Sequence, residues 1–190
     1  MRRQLIAIAA LLLVGCAHQA PPAPAVPLLH LSPASLGREL MLAQRLSVLA
    51  LPNAAEAAAD AVHERSLETQ LQVDTQSLQL AAIALNQRVM RLAWDGQQLT
   101  VERHPLLPAE VDPERVLRDL QLSCWPLAAV QAVLPAGWQL ADANDVRELT
   151  FDGQVQVRIE GVNRACRNGR ITLDNRREGY RLSIESREME

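Results

Sequence analysis

The chain has 190 residues, a formal net charge of −3 and three cysteines. That length suits one domain with a short leader rather than two large domains. The acidic balance offers no basic surface for a nucleic-acid backbone, and only 3% of residues are aromatic, so the apolar inventory is almost purely aliphatic.

The N-terminus reads Met1-Arg2-Arg3, an apolar run from Leu5 to Val14, then Gly15-Cys16. Two arginines before a short apolar core describe a secretory signal peptide, and the run is about half the ~20 residues a membrane-spanning helix needs. Leu13-Val14-Gly15-Cys16 resembles the lipobox of bacterial lipoproteins. The resemblance implies cleavage before Cys16, lipid on its thiol, and stable anchoring by several acyl chains. Ala17, rather than Asp, follows the cysteine, which by similarity to enterobacterial sorting implies the periplasmic face of the outer membrane. The expected plan is a signal peptide over 1–15, a lipidated cysteine and proline-rich tether over 16–35, and a single domain over 36–190. Pro21, Pro22, Pro24, Pro27 and Pro33 make the tether a semi-rigid spacer or a disordered leader.

From Leu40 the pattern turns β-like. Leu67, Thr69, Leu71 and Val73 alternate with polar neighbours from Ser66 to Asp74, the signature of a sheet with one wet face. The Ala-rich stretch between Pro52 and Glu64 fits a short helix or a loop. Leu78–Leu85 reads as a strand whose apolar parity shifts midway, as a bulge would produce. Asp95-Gly96 predicts a two-residue hairpin turn that sets Trp94 opposite Gln97, Leu92 opposite Leu99 and Met90 opposite Val101. At Phe151-Asp152-Gly153-Gln154 a three-residue loop is preferred, because it pairs Phe151 with Val155 and Leu149 with Val157.

Asp112-Pro113-Glu114 is a helix start, with a capping side chain, a first-turn proline and an acid at the positive end. Val116, Leu117, Leu120 and Cys124 form its apolar stripe, and Trp125-Pro126 ends or kinks it. A second short helix spans Leu127 to Leu134. Strands follow over Val155–Glu160, Arg170–Leu173 and Gly179–Glu185, with a turn at Asn168-Gly169 and an exposed polar loop from Asp174 to Glu178. The fold class is therefore α+β, mainly antiparallel β, with seven to ten strands. Cys124 and Cys166 fit either a disulfide or two buried thiols.

The segment Val116-Leu117-Arg118-Asp119-Leu120-Gln121-Leu122-Ser123-Cys124-Trp125-Pro126, with Trp94-Asp95-Gly96 and Gly179-Tyr180-Arg181-Leu182 as flanks, resembles a family of small proteobacterial lipoproteins. Genes of that family commonly lie in aryl polyene clusters beside a LolA-like carrier. Its layout is similar to the LolA/LolB superfamily, in which an unclosed β-barrel with a helical lid holds acyl chains. The resemblance implies an outer-membrane lipoprotein that binds or hands over lipid, lipoprotein or polyene chains, with a periplasmic carrier protein as partner. Leu67, Leu71, Val73, Leu92, Trp94, Leu99 and Val101 would line the cavity, and Val116, Leu117, Leu120 and Trp125 would form the lid.

The other readings are a filled barrel serving as a scaffold for a protein partner, and an enzyme. No Gly-x-Ser-x-Gly elbow or metal-ligand spacing is present; His18 and His30 fall in the tether, and His63 and His104 in loops. No catalytic residue, metal or cofactor is therefore assigned. Asp119 is expected in a salt bridge or cap, with Arg118 pointing away from it.

Overall fold

The computed structural model describes residues 24–51, 65–107 and 111–189. Ten strands among them form one antiparallel sheet: β1 (Leu40–Ala50), β2 (Arg65–Val73), β3 (Leu78–Ala84), β4 (Gln87–Trp94), β5 (Leu99–Arg103), β6 (Trp138–Ala143), β7 (Val146–Phe151), β8 (Gln154–Glu160), β9 (Gly169–Asn175) and β10 (Tyr180–Glu188). Two helices, α1 (Pro113–Cys124) and α2 (Leu127–Gln131), lie between β5 and β6. The strand order is β5-β4-β3-β2-β1-β10-β9-β8-β7-β6, so the sheet is unclosed, with β5 and β6 at its edges and the first and last strands side by side in the middle. The Ala-rich stretch and Cys16 lie outside the described residues.

Period-two alternation builds one apolar face. In β2, Thr69, Leu71 and Val73 are buried while Glu68, Gln70 and Gln72 are exposed. Register carries that face across neighbouring strands: Leu42 opposes Leu71, Leu71 opposes Leu80, and Leu80 opposes Leu92. Beyond the centre, Leu182 opposes Leu173 and Leu173 opposes Ile159. The parity change in β3 coincides with a register shift between Ala82 and Ile83, where Val89 of β4 is the extra residue.

Both Asp-Gly hairpins differ from expectation. The first has a four-residue loop, with Trp94 opposite Leu99, Leu92 opposite Val101 and Met90 opposite Arg103. Asp95 is the cause: its carboxylate accepts the Gln97 and Gln98 amides at 2.8 and 2.7 Å, which makes a wider turn. The shift is by two residues, so the same side chains face the core. In the second hairpin Phe151 opposes Gln154 across a two-residue turn, in which Asp152 and Gly153 both have positive φ. A shift between Leu149 and Thr150 then restores the expected Leu149–Val157 pair. The chain thus satisfies turn chemistry and face alternation together by means of a bulge.

The helix begins as expected, with Asp112 accepting the Glu114 amide at 3.0 Å. It does not lie as a one-sided amphipathic helix. Every residue from Leu117 to Ser123 is buried, including Arg118, Asp119 and Gln121. A helix buried all round sits inside a core, not on it. The second helix is shorter than expected, ending at Gln131.

Two further corrections follow. The segment Asp174–Glu178 is an exposed turn only at Arg176 and Arg177. Asp174 and Asn175 belong to β9, Asn175 is fully buried, and the Glu178 side chain is only 13% exposed. Nor does packing begin at residue 36: Val26, Leu29 and Leu31 are 3%, 2% and 5% exposed and share one core with the sheet and α1. At roughly 1.5–3 kcal/mol per buried aliphatic side chain, those residues hold the upstream segment firmly against the domain.

Candidate functional site

The apolar face of the sheet, α1 and the upstream segment meet at one place. Of the residues expected to line a cavity, Leu71, Val73, Leu92 and Trp94 are buried to 4% exposure or less, and Leu67, Leu99 and Val101 pack half-buried against them. Of the expected lid, Leu117, Leu120 and Trp125 are buried and Val116 half-buried in the same core. The structure therefore brings both sets together as neighbours in one packed interior. The two most distinct depressions among the described residues are elsewhere and polar: one of about 310 Å³ near Glu160, Arg164 and Arg170, and one of about 180 Å³ near Arg88, Glu102 and His104.

An extended strap, residues 24–32, runs beside α1 and ends in a 3-10 turn at Pro33–Leu36. It has no ladder of its own, and side chains of the domain satisfy its backbone. The Leu31 carbonyl accepts Trp94 Nε1 at 2.8 Å and Gln121 Nε2 at 3.0 Å, while the Leu31 amide donates to Gln121 Oε1 at 3.2 Å. Trp125 Nε1 donates to the Ser32 carbonyl at 3.3 Å and to Ser35 Oγ at 3.0 Å. The ring of His30 stacks on Trp94 with centroids 5.1 Å apart, and its Nε2 meets Glu114 at 3.0 Å. His30 is therefore part of the docked strap, not of a free tether.

Three polar devices fix α1 inside the sheet. At its middle, Arg118 bonds Asp119 at 3.0 Å and grips Glu178 with two bonds of 2.7 and 3.0 Å, so it does not point away from its neighbour. Tyr180 donates to Asp119 at 2.5 Å and accepts from Arg118 and Asn175. Burial raises the Asp119 pKa, against the opposing pull of Arg118 and Tyr180. Burial also raises the Tyr180 phenol, and the neighbouring Asp119 adds to the rise. For Arg118 burial acts downward, but Asp119 and Glu178 outweigh it and hold the guanidinium charged.

At the end of α1, the Arg147 guanidinium donates to the Leu122 and Trp125 carbonyls, each at 2.8 Å, with its other face held by Asp142. A cation on the unsatisfied carbonyls of a helix C-terminus is favourably placed. A disulfide joins Cys124 to Cys166, across a sequence separation of 42, and ties the same helix end to the connection between β8 and β9.

One inner row is polar. Gln44, Thr69 and Ser186 are buried side by side on β1, β2 and β10, and Gln44 Nε2 donates to Ser186 Oγ at 2.9 Å. Gln44 Oε1, Thr69 Oγ1 and, on α1, Ser123 Oγ find no hydrogen-bond partner among the described residues. Each such atom costs about 1–3 kcal/mol of desolvation. No local signal marks this row, because alternation counts Thr69 simply as an inward residue. Sequence reasoning also missed Arg147, Glu178 and the strap; Asp119, Gln121 and Tyr180 were at least inside the quoted motifs.

No set of three or more His, Cys, Asp or Glu side chains able to hold a metal occurs among the described residues, and no helix there is long and apolar enough to cross a membrane. Comparison with curated proteins gives no match. A family model described as "Protein of unknown function (DUF3261)" matches residues 52–188, which takes in the whole sheet except β1. The chain belongs to the DUF3261 family, whose model covers β2 to β10, both helices, the Arg118–Glu178–Tyr180 cluster and Arg147.

Proposed function

We propose that this protein is an outer-membrane lipoprotein, anchored through Cys16 at the periplasmic face, that accepts acyl- or polyene-chain ligands without catalysing a reaction on them. The reading takes in a LolA/LolB-like layout and an aryl polyene setting, both of which come from the motif resemblance. One observation supports it most. The apolar face of a ten-stranded unclosed sheet is covered by two helices and an extended strap, not by a second sheet. The strap carries no backbone ladder, so a ligand need replace only its side-chain bonds and the apolar contacts of Val26, Leu29 and Leu31, which an acyl chain can supply in kind. Each methylene taken from water contributes roughly 0.8 kcal/mol, so a twelve-carbon chain gains about 10 kcal/mol before the cost of ordering it. Gln44 and Thr69 in the buried polar row, with Ser123 on α1, offer unpaired groups to a ligand's polar end or to water.

Displacement of a fluorescent fatty acid, with native mass spectrometry of the same sample, tests this. Saturable binding of one or a few chains per protein is expected. Failure of any chain to bind removes the reading.

The alternative is a lipid-anchored scaffold for a protein partner. It is favoured by the tightness of the interior, where Leu71, Leu92 and Leu117 are at most 1% exposed. In that case crosslinking recovers a stoichiometric protein partner and the fatty-acid assay stays silent.

A further inference from the structure

The Leu31 carbonyl is gripped by two N–H donors from two different elements. Trp94 Nε1 reaches it from β4 at 2.8 Å and Gln121 Nε2 from α1 at 3.0 Å. Both donors are buried, and aliphatic side chains surround them. On either side of that carbonyl the strap sets Leu29, Leu31 and Leu36 into the core. In chemical terms the strap presents one carbonyl embedded in hydrocarbon, together with the N–H of the same residue, which donates to Gln121 Oε1 at 3.2 Å.

Trp94, Gln121 and Trp125 lie inside the residues that the family model matches, whereas the strap lies wholly before them. The grip at residue 31 is also indifferent to side-chain identity, since both of its donors address the backbone carbonyl. A site that reads a carbonyl and an adjoining aliphatic surface accepts any molecule presenting both.

We infer that the Trp94–Gln121 pair is a recognition site for the ester or amide carbonyl at the head of an aliphatic chain, and that the strap around Leu31 occupies it as a displaceable stand-in. This rests on the chain-binding reading above, and it adds to that reading a place and a ligand class. The chain would take the positions of Leu29, Leu31 and Leu36, its carbonyl would accept the two hydrogen bonds now made to the Leu31 carbonyl, and an amide N–H or a water would replace the Leu31 amide at Gln121 Oε1. The strap leads directly into the tether, so ligand binding would also lengthen the free leash between domain and anchor. From Cys16 to Pro24 the leash reaches at most about 30 Å; released as far as Gly37 it reaches about 70 Å.

Two probes with the same sugar headgroup, a dodecanoyl ester and a dodecyl ether, separate carbonyl recognition from simple apolar burial. They are titrated below micelle formation into the full chain carrying Cys16→Ser, with hydrogen exchange followed over the strap. The ester should bind at least tenfold more tightly than the ether and should speed exchange at the Leu29 and Leu31 amides. Gln121→Leu should bring the two affinities close to parity.

Because that substitution also loosens the strap, a second variant keeps the donors intact. His30→Cys with Glu114→Cys, whose native side chains meet at 3.0 Å and are exposed, can be bridged by a short diol-containing bis-maleimide. Bridging should abolish ester binding, and periodate cleavage of the diol should restore it. Equal affinity for ester and ether, unchanged strap exchange, or undiminished binding in the bridged protein overturns this site and leaves chain binding standing. If neither probe binds, the chain-binding reading itself falls.

Discussion

Asp119 is the residue on which the interior turns. It is a carboxylate closed from water inside a sheet, 2.5 Å from the Tyr180 hydroxyl and 3.0 Å from Arg118. Breaking such a buried pair costs far more than replacing it whole. Its pKa lies above the ordinary 3.8 because burial disfavours the charged form more than its partners favour it. The folded chain therefore holds this proton more tightly than the unfolded chain does. The resulting stability is complete below pH 3.8 and is lost as pH rises through the folded-state value. Asp119→Asn removes that slope. In urea unfolding at a series of pH values, wild-type stability minus variant stability should fall as pH rises above about 4. A difference that stays flat with pH would show that Asp119 titrates normally in the folded state.

At the scale of elements, α1 is held at its middle by the Arg118–Glu178–Tyr180 cluster and at its C-terminus by Arg147 and the Cys124–Cys166 disulfide. The disulfide closes a loop of about 40 residues that contains α2, β6, β7 and β8. Chain-entropy reasoning gives such a loop about 4 kcal/mol. Cys166→Ser, or reduction of the wild type, should lower the unfolding free energy by that order, as read by thermal or urea denaturation. A loss below about 1 kcal/mol would mean that the link constrains little. The limits of sequence reading also lie at this scale. Strands and hairpin positions were legible because alternation and Asp-Gly turns are local signals. The start of α1 was legible through Asp112-Pro113. Loop length at Asp95 was not, because the carboxylate's choice of Gln97 and Gln98 depends on geometry rather than on residue type. The burial of Arg118, Asp119 and Gln121 was not legible either, since polar residues on a helix read as solvent-facing until their distant partners are known. Those partners, Glu178, Tyr180 and Leu31, are 60, 61 and 90 residues away in sequence. The strap was hidden by its prolines, which read as a spacer although Leu29 and Leu31 between them carry the packing.

For the molecule as a whole, the expected anchor sets where everything else acts. If Cys16 carries lipid, Cys16→Ser should move the protein from the membrane pellet to the soluble periplasmic fraction while leaving its unfolding midpoint unchanged, because the described core starts downstream at Val26. Continued sedimentation with membranes would place the attachment elsewhere. The strand order has a further consequence. Two five-strand meanders, β1 to β5 and β6 to β10, meet only where the first strand pairs with the last. Each meander can zip locally, but the seam between them requires Leu42 to find Glu188 and Ala50 to find Tyr180. Loop-closure entropy must be met before that seam returns any stability. Until β10 is made, the two meanders have nothing to join them, and β1 is left with β2 as its single neighbour and its other edge open.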